Sequence, residues 1–167
     1  MSRAFVKEPD GDAVQDDTPD IPISPHPNYV TATGLRQLEQ QRDDLVAERA
    51  ALKAGPDPVA VKLALFPVER RLRYILARLD SAILKCPVQT ETVAVGHAVL
   101  VADDAGEEQR YWIVGEDEAD IKAYKVSWVS PLARALIDRE VGDLVKWRRP
   151  AGDRELEILE ISLPGGA

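Results

Sequence analysis

The chain has 167 residues, 45% of them apolar and 30% charged, with a formal net charge of −8. That length suits one domain or two small ones, and the apolar fraction is enough for a core. The acidic balance argues against simple wrapping of DNA or adhesion to an anionic membrane, since both want a basic surface.

Residues 1–28 are rich in Asp and Pro, and prolines at 19, 22, 25 and 27 block regular structure. With so little apolar content the segment is expected to be a disordered or extended tail. Its opening, MSRAFVKEPDGD, has no apolar run of the signal-peptide kind. No stretch approaches 18 consecutive apolar residues, so no membrane helix is expected. One cysteine, Cys86, cannot form an internal disulfide framework. These features together predict a reducing, cytoplasmic setting. Charge is uneven: residues 1–30 carry −4, 31–90 carry +3, 91–120 carry −8 and 121–167 carry +1. Such segregation suggests two modules with different surfaces.

A helix is expected from near Thr33, in TATGLRQLEQQRDDLVAERAALKAG. Leu35, Leu38, Leu45 and Leu52 share one stripe at spacings of three and seven. Gly55 and Pro56 end it. Asp57-Pro58 reads as a fresh start, with Asp as N-cap and Pro at the first helical position. Leu65, Val68, Leu72, Ile75, Leu79 and Ala82 then alternate by three and four, which is a coiled-coil seam. Pro67 lies inside the run and is expected to kink the helix or divide it. Two such helices joined by a short turn must pack antiparallel, giving a finger over residues 29–86.

After Cys86-Pro87 the pattern changes. ETVAVGHAVLVAD, QRYWIVG and YKVSWVS are β-branched, aromatic and partly alternating, and read as strands. DDAGEE is a hairpin turn. Ser130 caps a short helix with Pro131 at its first position. GDLVKWRR and RELEILEIS are two further strands around the turn RPAGD. Residues 87–163 thus predict a small antiparallel sheet with one short helix, and the whole chain an α+β architecture ending in a tail at 164–167.

No catalytic constellation appears. HExxH, CxxC, GxxxxGK[ST] and GxSxG are all missing from the sequence. His26 lies in the tail, and His97 reads as an edge or core imidazole in a strand. GEDEAD, residues 115–120, is the densest acidic run. A Mg²⁺ site is conceivable there, but a solvated acidic loop is the simpler reading. RRLRY, residues 70–74, could meet phosphates, but at helical spacing it reads more simply as the exposed back of the coiled coil.

The parts in this order resemble the bacterial Gre transcript-cleavage factors. NYVTATGLRQLEQQ resembles the family's V-T-x-x-G-x-x-x-L helix opening, and ERRLRYILARLDSA resembles its returning arm, closest to GreB. YWIVGEDEAD resembles Y-R-I-V-G-x-D-E-A-D, and SPLARALIDREVGDLV resembles S-P-x-A-R-A-L-L-x-K-E-V-G-D. The resemblance runs from about Asn28 to Ile161. It implies an FKBP-like sheet domain that docks on RNA polymerase beside the secondary channel, with the finger entering the channel. Nucleic acid would be met only through the elongation complex, membranes not at all, and the factor would act as a monomer.

The resemblance also implies that acids at the fingertip hold a Mg²⁺ in the polymerase active site, where the ion activates the attacking water. The factor would have no active site and no cofactor of its own. Residue by residue the transfer is partial. The family's docking segment I-S-x-D-S-P aligns with Val126-Ser127-Trp128-Val129-Ser130-Pro131, so Val129 replaces an Asp. Ser127, Val129, Ser130, Pro131 and Leu132 are the candidate polymerase contacts. At the tip, the family's metal-holding acids fall on Ala51 and Ala54, leaving Asp57 as the candidate carboxylate and no metal ligand set. The finger also looks shorter than the family's. An elongation factor that binds polymerase and regulates paused or backtracked complexes with weak or no cleavage is therefore expected. The alternatives are an FKBP-like peptidyl-prolyl isomerase and a generic coiled-coil adaptor. The acidic tail would shield the basic helical segment or serve solubility alone.

Overall fold

The computed structural model describes residues 15–163. Two long helices form an arm. Helix α1 (Ala32–Lys53) begins just after Thr31, whose backbone is extended and whose hydroxyl accepts the Gly34 N–H at 3.0 Å. This start lies slightly before the expected one at Thr33, because the hydroxyl two positions earlier reaches the free N–H. Helix α2 (Pro58–Asp80) begins on Asp57-Pro58 as expected. The Asp57 Oδ1 accepts the N–H groups of Val59 and Ala60 at 3.0 and 3.3 Å. Pro67 does not divide the helix, which runs on as a single element. Proline forfeits one backbone hydrogen bond, but Val68, Leu72 and Ile75 next to it are buried on the seam and hold the helix in place. The helices pack with Leu38 and Ile75 at their centre and Leu35, Leu45 and Leu79 around them. At 22 and 23 residues, each is about 33–35 Å long.

The base of the arm is stitched by two short strands, β1 (Tyr29–Val30) and β2 (Ile83–Leu84), paired in parallel. The Ile83 N–H donates to the Asn28 carbonyl and the Lys85 N–H to the Val30 carbonyl, both at 2.8 Å. Buried Asn28 donates its side-chain amide to the Arg78 carbonyl at 2.7 Å, which fastens the last turn of α2.

A five-stranded sheet follows: β3 (Ala98–Asp103), β4 (Glu108–Val114), β5 (Lys125–Ser127), β6 (Leu144–Trp147) and β7 (Arg154–Ser162), in the order β5-β4-β3-β7-β6. Helix α3 (Pro131–Leu136) lies against β5 and β6. The core is Val93, Val99, Val101, Ile113, Leu136 and Ile158 among others. Two expectations are corrected. The sheet is mixed, because β5 runs parallel to β4. The chain between them passes through two 3₁₀ turns (Glu116–Glu118 and Ile121–Ala123) and crosses back instead of closing a hairpin. The strand expected over residues 91–103 starts only at Ala98. Gly96, at φ +100°, turns the chain there, and Val93 bonds the Arg139 backbone instead of a strand partner.

The tail expected over residues 1–28 lies outside the described residues up to position 14. Residues 15–28 contain no helix or strand, yet they are not loose: Asp16 and Asp20 pair with Arg70 and Arg73 of α2. The expected tail at 164–167 also lies outside the described residues.

Candidate functional site

Most residues singled out in the sequence fall at the junction of arm and sheet, in a cleft beside α3, and at the tip of the arm.

The junction is built from GEDEAD. The acidic loop expected to be solvated is instead an ionic clamp. Arg78, only 1% exposed, donates from Nε to Asp117 Oδ2 at 2.6 Å, and its Nη2 lies 3.6 Å from Glu116. The Tyr74 hydroxyl donates to Asp117 Oδ1 at 2.6 Å. Burial, with that carboxylate, pushes the Tyr74 phenol up to about 12. Glu118 is buried and accepts from Lys125 Nζ at 3.1 Å and from the Thr31 hydroxyl. A Cβ at Gly34 would sit 2.7 Å from Glu118 Oε2, and one at Gly115 would collide with the Tyr29 carbonyl. The T-x-x-G spacing is thus a contact surface: the hydroxyl binds the carboxylate and the glycine lets it approach. The arginine cluster is likewise engaged. Arg70 and Arg73 pair with the tail, while Arg71 donates to Gln41 and lies over the Tyr74 ring. The arm-side partners of Asp117 and Glu118, namely Tyr74, Arg78 and Thr31, are distant in sequence, so local patterning could not find them. The available signal was Arg78 itself, a charge beside the apolar stripe of Ile75 and Leu79.

The cleft, about 400 Å³, is lined by Tyr111, Tyr124, Val126 and Trp147, with Ser127, Ser130, Pro131 and Leu132 also facing it. Four of the five candidate docking residues therefore share one surface, and Val129 is not part of the lining. Ser127 and Ser130 bracket a tight turn. The Ser130 N–H donates to the Ser127 carbonyl at 2.9 Å, and the Ser130 hydroxyl accepts the Ala133 N–H at 3.2 Å as the N-cap of α3. Pro131 is exposed, whereas Leu132 is 3% exposed and belongs to the sheet core. Sequence reasoning missed the other lip. Ile121 is 86% exposed, and Tyr124 is held at φ +55°, a left-handed conformation uncommon for a bulky residue. Asp120 supports it by capping Lys122 and bridging Lys125.

At the tip Asp57 is exposed, and its Oδ1 is already engaged by two backbone N–H groups. Ala51 lies in the last turn of α1 and Ala54 is its C-cap. A hard cation normally takes several oxygen ligands, and the tip does not fit one. Among the described residues no group of three or more His, Cys, Asp or Glu could hold a metal. His97 is a core imidazole: it is 1% exposed, its Nδ1 accepts the Ala94 N–H at 3.0 Å, and burial pushes its pKa below the ordinary value.

Comparison with known proteins gives a consistent result. A family model described as "Transcription elongation factor, GreA/GreB, C-term" matches residues 88–163. The chain is 34% identical over 151 residues to transcription elongation factor GreB of Neisseria meningitidis serogroup B, spanning 80% of this chain and 93% of that protein. It is 44% identical over 150 residues to transcription elongation factor GreA of Pseudomonas syringae pv. tomato, spanning 79% of this chain and 95% of that protein. A shorter match to GreA of Alkalilimnicola ehrlichii is 48% identical over 98 residues, 56% of this chain and 62% of that relative.

Proposed function

The chain belongs to the GreA/GreB family of transcription elongation factors, and on that premise we propose that it binds bacterial RNA polymerase at the secondary channel without supplying the acids that transcript cleavage needs. The sheet domain, in the FKBP-like role its family resemblance implies, docks through the cleft beside α3. The arm enters the channel as a coiled coil. The factor has no active site or cofactor of its own, acts as a cytoplasmic monomer, and meets nucleic acid and the catalytic Mg²⁺ only through the polymerase.

The observation that carries this reading is the state of the tip. Its one carboxylate, Asp57, caps α2, and Ala51 and Ala54 stand where the resemblance places acids. Such an arm fills space in a channel but brings no ligand set for an ion. The cleft supports docking by a different physical route. Pro131 and Ile121 are exposed apolar groups beside a pocket that is itself mostly apolar, and a partner that covers them removes that surface from water. The relatives carry elongation-factor names and lend no support to the isomerase or adaptor alternatives.

Binding to purified RNA polymerase core enzyme tests the docking. Ile121→Asp places a charge on the exposed lip and is expected to weaken binding at least tenfold, about 1.4 kcal/mol, with the fold unchanged by circular dichroism. Asp57→Ala is expected to leave binding within about twofold. Undiminished binding in the cleft variant would move the docking face elsewhere.

A further inference from the structure

The proline-rich segment 15–28 is tied to the arm along its length. At its end Asn28 is buried and bonded to the Arg78 carbonyl. Further back, Asp20 Oδ1 accepts from Arg73 Nε and Nη2 at 3.1 and 2.6 Å. Further still, both oxygens of Asp16 accept from Arg70 Nη2, at 2.8 and 2.7 Å. These pairs order the segment parallel to α2. It carries Asp16, Asp17 and Asp20 and no Lys or Arg. Prolines at 19, 22, 25 and 27 keep it from folding into a helix that would withdraw the two acids from their partners. It also reaches the docking turn, where His26 lies edge-on to Trp128 with ring centroids 6.0 Å apart.

We infer that residues 15–28 form an autoinhibitory strap, in which Asp16 and Asp20 occupy Arg70 and Arg73 in the free protein and must release them before that face of the arm meets RNA polymerase. The inference rests on the polymerase reading above. Its physical basis is competition for two guanidinium groups. Arg73–Asp20 is an exposed ion pair, weak and screened by salt, and opens first, while the half-buried Arg70–Asp16 pair holds more firmly and still opens to solvent at its edge, so the strap can be displaced. Its anchor at Asn28 makes rebinding intramolecular, so it competes at high effective concentration despite weak individual bonds. A partner that needs the open form sees its affinity reduced by the fraction of molecules that are open.

Two measurements on the full chain test this. Phenylglyoxal labelling read by mass spectrometry reports whether the arginines are covered. Arg70 and Arg73 are expected to label slowly at low salt in the native chain, and at least threefold faster in D16A/D20A. Affinity for core RNA polymerase at low salt reports the gate. D16A/D20A is expected to bind about three- to tenfold tighter than the native chain, and R70Q/R73Q added to it is expected to abolish the gain. Equal labelling of native and D16A/D20A chains overturns the strap. Equal affinity of the two overturns the gate while leaving the polymerase reading intact. Absence of polymerase binding by every variant overturns that reading and the gate with it.

Discussion

Arg78 carries its charge at 1% exposure and depends on Asp117 at 2.6 Å, a carboxylate it shares with the Tyr74 hydroxyl. Asp117→Ala would strand a buried guanidinium and is expected to cost about 3–5 kcal/mol in urea unfolding. Replacing both partners, Arg78→Met with Asp117→Leu, should recover part of that loss, because it removes the stranded charge but leaves the Tyr74 hydroxyl without its acceptor. Equal destabilisation of single and double variants would contradict this account of the clamp. Gly34→Ala sets two effects against each other. Alanine is favoured in a helix by about 1 kcal/mol, but its Cβ would sit 2.7 Å from Glu118 Oε2. We expect net destabilisation of about 1–3 kcal/mol. His97 makes stability depend on pH in a definite direction. Burial depresses its folded-state pKa, so the unfolded chain binds the proton more readily. Stability is therefore fully present above the unfolded value of about 6.5 and falls as pH drops below it. His97→Gln should flatten that slope in a series of melts. At this scale the sequence was most readable where partners are close in the chain. The Asp57-Pro58 and Ser130-Pro131 caps bind N–H groups two or three residues on. In the clamp, Arg78 and Asp117 are 39 positions apart and Thr31 and Glu118 are 87 apart, and no local pattern reports such pairings.

Helix α2 is the element in which local preference and tertiary packing conflict. Pro67 lies in its interior, where proline removes a backbone hydrogen bond and crowds the preceding turn. Val68, Leu72 and Ile75 are nevertheless buried, and Ile75 packs with Leu38 of the facing helix, so packing prevails. Pro67→Ala is expected to stabilise the chain by about 1–3 kcal/mol, measured as a rise in the thermal midpoint followed at helical wavelengths. A fall would show that the proline supports the arm's shape. The two helices were readable because their apolar spacing is long and regular. The parallel pairing of β4 with β5 was not, since periodicity places residues on a face and says nothing of strand direction. The shortening of the first sheet strand followed from Gly96 at φ +100°, in a stretch whose valines and alanines look strand-like throughout.

In the whole molecule, the charge segregation along the sequence becomes intramolecular attraction. The segment with net +3, residues 31–90, is gripped from one side by the acidic clamp at 116–118 and from another by the strap. The charge segregation was legible; that acids and arginines far apart in the chain pair across the fold was not. Ser127, Ser130, Pro131 and Leu132 are close together in the sequence and line one cleft. The far lip, Ile121 and Tyr124, escaped notice because its shape comes from a left-handed turn after a 3₁₀ segment. The tip ends a two-helix arm with a carboxylate committed to a helix cap. Transcript cleavage in stalled, backtracked RNA polymerase complexes tests that combination most directly. The native chain, at a concentration that saturates polymerase, is expected to leave cleavage at the intrinsic rate and to slow cleavage driven by an added GreA protein. Cleavage stimulated by the native chain and lost in Asp57→Ala would contradict it.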